Sequence, residues 1–189
     1  MVKKTIFAVL NSNKKTPISI ARLSGPLTKS FVKSLCKKRI IPKQINIADI
    51  FKNDGSFLDK SIILFFPKPN SLTGEDLVEF HLHGSPTIIK EFEETLVSFP
   101  GITQAESGEF TKQAFYNNKI DLVQIEGLDD LYNSYTTSQR IQAQNAFLGG
   151  VSEKLNSWRE TIIELNALIE STIDFVDEDL PKNLFYKFK

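Results

Sequence analysis

Both histidines of the chain, His81 and His83, stand two residues apart behind Glu75, Asp76 and Glu79 in FFPKPNSLTGEDLVEFHLHG, residues 65–84. On a strand alternate side chains share a face, so Glu79, His81 and His83 point the same way at steps of about 6.6 Å. His-x-His is a metal-ligand spacing, but a metal site also needs a third ligand and a supporting outer shell. The sequence has no further histidine, so carboxylates would have to complete the set. A structural role for at least one histidine, closing the strand at HGSP, is the favoured reading. Glu79 raises a separate question, because a carboxylate between Val78 and Phe80 is costly to bury without a donor. It either faces water or serves as an acceptor for the N–H edge of a ligand.

Two cations raise similar questions. Arg22, in ISIARLSGP, shares a strand face with Ile18, Ile20 and Ser24, so an apolar row ends in a guanidinium. An edge strand packing the arginine stem would explain it without any ligand. Lys119, in NNKIDL, falls in a helix break, where a solvated lysine is ordinary. Cys36 is the single cysteine, so no intrachain disulfide and no cysteine-based zinc knuckle can form. Neither GxxxxGK[ST] nor GxGxxG occurs in the sequence, and a Ser-His or Cys-His nucleophile finds little support.

The elements that must position these residues change character along the 189 residues. TIFAVL (5–10), ISIARL (18–23), INIADIF (45–51), SIILFF (61–66) and EDLVEFHLH (75–83) read as strands. NDGS (53–56) marks a hairpin turn. TKSFVKSLCK has helical spacing with Phe31, Val32, Leu35 and Cys36 on one side, and PTIIKEFEETLVSF is a helix opened by Pro86. From residue 108 onward the pattern is helical, broken near NNK, with Thr136 and Gln139 spaced as a capping box. Val151, Leu155, Trp158, Ile162, Leu165, Ile169, Ile173 and Val176 then form an apolar stripe along roughly 39 Å of helix, which needs partners. Too few helical pieces are available to cover it.

An apolar content of 41% with 15 phenylalanines supports a packed core, and 23 basic residues balance 23 acidic ones. Bulk charge therefore argues for neither nucleic acid nor an anionic membrane. KSLCKKRIIPK (33–43) is the densest basic patch and reads as a solvated helix end and turn. No apolar run approaches the ~18 residues of a membrane span, so a cytoplasmic location is expected.

Four blocks occur in order: ARLSGP, FFPKPNSLTGEDLVEFHLHGSP, ESGEFTKQAFYNNKIDLVQIEGLDDL and IESTIDFVDEDLP. Together they resemble the amino-terminal part of the tRNA-modification GTPase family MnmE, also called TrmE. The resemblance implies an α+β fold. A β-rich folate-binding and dimerisation domain like that of the aminomethyltransferases is expected over residues 1–118, and the first part of an incomplete all-α helical domain over 119–189. It implies formyl-tetrahydrofolate as the bound cofactor, with Arg22, Glu79 and Lys119 as the cofactor-binding positions and no catalytic residue in this stretch. GTP, Mg and K would act only in the full-length family, and no GTP hydrolysis is expected from this chain alone. The implied partners are a second copy, an MnmG-like flavoprotein and tRNA, together placing an aminomethyl-type group on a wobble uridine. The resemblance departs at NSNKKTPIS, before Arg22, and at Ser85, which stands where the family carries glycine. An alternative is therefore an interaction module that keeps the dimer surface and has lost folate.

Overall fold

The computed structural model describes residues 4–10 and 15–174. The loop change at 11–14 and the acidic end of the long helix, including Val176, lie outside the described residues. The chain divides into two compact units, Met1–Ile120 and Asp121–Lys189.

The first unit is built on a six-stranded sheet: β1 (Thr5–Val9), β2 (Ile18–Ser24), β3 (Asn46–Phe51), β4 (Phe57–Phe66), β5 (Leu77–His83) and β6 (Ile102–Gln104), in the order β3-β4-β5-β2-β1-β6. Neighbours are antiparallel except β1 and β6, which run parallel. One face takes the helices α1 (Thr28–Leu35) and α2 (Pro86–Ser98). Their apolar positions fall at helical spacing, Phe31, Val32 and Leu35 on α1 and Ile89, Phe92 and Leu96 on α2, and all are buried. Phe31, Phe80 and Phe92 meet edge to face, with ring centroids 5.2–6.5 Å apart, the geometry that aromatic quadrupoles prefer. Cys36 is buried at the end of α1, and desolvation of its thiolate pushes the thiol up to about 11.

The β3–β4 hairpin turns at 52–56, where Lys52 N–H donates to the Ser56 carbonyl at 2.9 Å. β4 begins at Phe57, earlier than the run SIILFF indicates. Ser85 is extended (φ −77°, ψ 129°) and precedes Pro86 at the start of α2, so serine carries no backbone strain there. A short helix, α3 (Glu109–Tyr116), ends the unit's regular structure.

The second unit holds α4 (Leu122–Tyr132), α5 (Thr137–Phe147) and α6 (Gly150–Asp174). Both α4 and α5 open with capping boxes, Asp121 with Gln124 and Thr136 with Gln139, each closed in both directions. These two helices pack closely because Gly127 allows it: a Cβ there would sit 2.5 Å from the Phe147 nitrogen. Along α6 no described residue is buried, and Trp158, Ile162 and Ile173 are more than half exposed at 55%, 56% and 64%.

Candidate functional site

The core strands β2 and β5 pair in the register Arg22↔Glu79. Strand alternation puts Ala21, Leu23, Val78 and Phe80 into the helix-covered core and turns Arg22 and Glu79 to the opposite face. There Arg22 Nε donates to Glu79 Oε1 at 2.8 Å, and Nη2 lies 2.6 Å from the same oxygen. Both arms of the guanidinium thus use one carboxylate oxygen. The pair is shielded, with Glu79 at 19% side-chain exposure, and the Phe110 ring of α3 lies 5.8 Å from the guanidinium carbon.

Glu79 Oε2 faces the other way, 3.9 Å from His81 Nε2. That imidazole nitrogen is buried and has no hydrogen-bond partner. Buried polar atoms are normally paired, so the His81 nitrogen beside Glu79 Oε2 stands out as unsatisfied. His83 is committed elsewhere: Asp59 accepts from His83 N–H at 2.9 Å, and its other oxygen lies 2.7 Å from His83 Nδ1. The histidine pair therefore splits by role. His83 ties the end of β5 to β4, as a strand-closing residue should, whereas His81 stays with Glu79.

Lys119 arrives by a separate route and belongs to the first unit. Asn117 donates through Nδ2 to the Thr73 carbonyl at 2.8 Å and to Glu75 Oε1 at 3.1 Å. This locks the segment after α3 onto the TGED turn, whose Thr73 hydroxyl in turn meets Ser24 Oγ at 2.6 Å. Gly74 has φ +76°, and a Cβ on it would meet Asn117 Cβ at 2.9 Å and Lys119 Cγ at 3.3 Å. The glycine lets the lysine stem lie against the turn. Lys119 is exposed and has no ion-pair partner among the described residues. The structure therefore joins Arg22 directly to Glu79 and anchors Lys119 through the 73–75 turn, which also holds Ser24 on the Arg22 strand.

Residues 5–119 match the family model described as GTP-binding protein TrmE N-terminus, and residues 122–186 match the MnmE helical domain. The chain belongs to the MnmE (TrmE) family. It is 40% identical over 177 residues to the tRNA modification GTPase MnmE of Roseobacter denitrificans, covering 94% of this chain and 41% of that relative. Against the protein of the same name from Bartonella bacilliformis the identity is 42% over 174 residues, covering 92% and 40%. The match to that of a Bradyrhizobium species is 42% over 182 residues, covering 96% and 41%. The chain thus spans about two-fifths of the length of these relatives. It carries an MnmE amino-terminal domain followed by MnmE helical-domain sequence, in an α+β arrangement.

In this MnmE-family chain two site features escaped the sequence reading. Nothing in the spacing of His81 and His83 showed which of the two Asp59 would take. Phe110 was hidden within GEFT, and only the approach of α3 sets its ring beside Arg22.

Proposed function

We propose that this chain is the tetrahydrofolate-holding portion of a tRNA-modification protein, with Arg22, Glu79 and Lys119 as the contacts to a formyl-tetrahydrofolate. The observation that carries the reading is the one-sided ion pair. Glu79 satisfies Arg22 with Oε1 alone and keeps Oε2 as an acceptor beside an orphaned imidazole nitrogen. A pterin presents adjacent amino and ring N–H donors, which suit a shielded carboxylate oxygen. A glutamyl tail carries carboxylates, which suit an unpaired cation such as Lys119. No GTP turnover is assigned to these residues. GTP hydrolysis with Mg and K, and aminomethyl-type transfer to a wobble uridine with an MnmG-like flavoprotein, belong to the larger assembly in this reading.

The test is calorimetric titration of the purified chain with formyl-tetrahydrofolate. Saturable binding is expected, weakened at least about ten-fold by Glu79→Gln and by Lys119→Ala. A folded wild type without binding would sink the reading and favour the alternative of an interaction module in which Arg22 and Glu79 only satisfy each other.

The same sheet face exposes Ile18 (59%) and Ile62 (39%) on either side of β5, a surface suited to a second copy of the chain. Sedimentation should show a dimer that Ile62→Glu weakens. A concentration-independent monomer would remove dimerisation from the proposal.

A further inference from the structure

The charge balance of the chain conceals a segregated stretch. Between Thr28 and Ala48 there are six cations, Lys29, Lys33, Lys37, Lys38, Arg39 and Lys43, and no acidic residue. Folding brings part of this stretch to the free edge of the sheet. There Lys37 and Lys38, just beyond α1, face Lys60 of β4 across the edge strand β3. With Phe51 they line a cavity of about 220 Å³. Such a volume lies below the ~300 Å³ at which small-molecule sites begin, and it suits one anionic group rather than a whole organic ligand.

The cleft has an aromatic side as well as a cationic one. Lys37 Nζ lies 4.0 Å from the centroid of Phe51, and Phe51 meets Phe57 edge to face at 6.2 Å. Phe57, the cross-strand partner of Phe51 beside the hairpin turn, still leaves 60% of its surface exposed. Lysines that take phosphates, next to an exposed ring that accepts a base, are the paired features of single-stranded nucleic-acid binding. A flat anionic bilayer would engage lysines splayed on a surface, and it gives no reason to set them around a cleft.

From this arrangement we infer that the β3 edge is a docking surface for unpaired RNA. Lys37, Lys38 and Lys60 hold the phosphate backbone, and Phe57 stacks on a base. Asp49 is the one acid in the cleft, 4.0 Å from Lys60 Nζ in a solvated pair of small net strength. It tempers the affinity and gives the inference a signed test. The surface shares no side chain with the Arg22–Glu79–Lys119 set, so it stands whether or not folate binds there.

The experiment is fluorescence anisotropy of the full chain with a labelled, unmodified tRNA anticodon stem-loop over a salt series. Three phosphate contacts to a single strand predict a slope of about −2 in log K against log salt. Lys37→Glu/Lys38→Glu/Lys60→Glu should weaken binding at least about ten-fold and flatten that slope. Lys90→Glu/Lys112→Glu/Lys154→Glu changes the net charge equally and should leave most of the affinity. Phe57→Ala should weaken binding several-fold at an unchanged slope, while Asp49→Asn should strengthen it. Circular dichroism establishes that each variant is folded. Equal losses in the two triple variants would overturn the inference, as would no RNA binding by the wild type at low salt. Lysine-dependent binding to phosphatidylserine vesicles in place of RNA would overturn it too. Folate calorimetry on the same samples separates the two readings, since RNA binding without folate binding removes only the proposed function.

Discussion

The sheet unit and the helical unit answer the same demand, burial of an apolar face, to very different degrees. In Met1–Ile120 the helices α1 and α2 seal one side of the sheet, and Phe31, Phe80 and Phe92 are each at most 0% exposed. In the second unit α4 and α5 lean on each other through Gly127, but α6 keeps every described apolar side chain at least partly in water. Periodicity at three and four residues is as clear in α6 as in α1. The difference shows that a hydrophobic pattern states what a helix must bury, and only the available partners decide whether it does.

The contrast can be broken or sharpened by substitution. The largest effect is expected from Phe80→Ala, which removes a ring fully enclosed by two others and should cost about 3–5 kcal/mol in urea denaturation. Trp158→Ala removes a larger side chain from α6 and should change stability by less than ~0.5 kcal/mol. Similar losses for the two would erase the distinction between the units.

Gly127→Val addresses the close approach of α4 to the backbone of α5. Its side chain would run into the Phe147 backbone and Ala146, so a cost near the upper end of ~1–3 kcal/mol and a loss of helical circular dichroism are expected. A neutral outcome would mean that α4 and α5 do not need their close approach.

Cys36 tests how dry the sheet unit's core is. Its folded pKa lies above the ordinary thiol value, so the folded state holds the proton more tightly than the unfolded state. The associated stability is fully present below the unfolded thiol pKa and is lost as pH rises toward about 11. A fall on the order of 2 kcal/mol across that window is expected from this thiol, and Cys36→Ser should remove that part of the pH dependence. A wild-type denaturation midpoint that stays flat through the same range would contradict the buried thiol. A smaller loss is expected from Thr136→Ala, which removes one capping box and should cost ~1 kcal/mol, visible as fraying of α5.

Much of this architecture was legible residue by residue. The spacing of Phe31, Val32, Leu35 and Cys36 gave α1 its buried face, and all four are buried. Thr136 and Gln139 announced their capping box, and Pro86 its helix start. β6 was not legible, because three residues, Ile102–Gln104, are too few to show alternation, and their pairing with β1 is entirely nonlocal. The early start of β4 was not legible, because Asp59 and Lys60 interrupt its apolar pattern. Asp59 is nevertheless buried, because it accepts from the backbone N–H groups of Lys60 and His83 and pairs with the His83 ring.

By itself the sequence determined which residues could form strands and helices, which faces had to be apolar, and the family to which the motif blocks point. Those properties depend on local periodicity and on residue type, which a linear string carries in full. It could not decide that Arg22 would meet Glu79 across 57 residues of chain, or that His83 rather than His81 would be taken by Asp59. It also could not show that lysines from the segment after α1 and from β4 would converge around the sheet edge. Such meetings depend on strand register and on which element covers which face. Pairings of that kind are set by the packing of the whole unit, and only the tertiary structure records them.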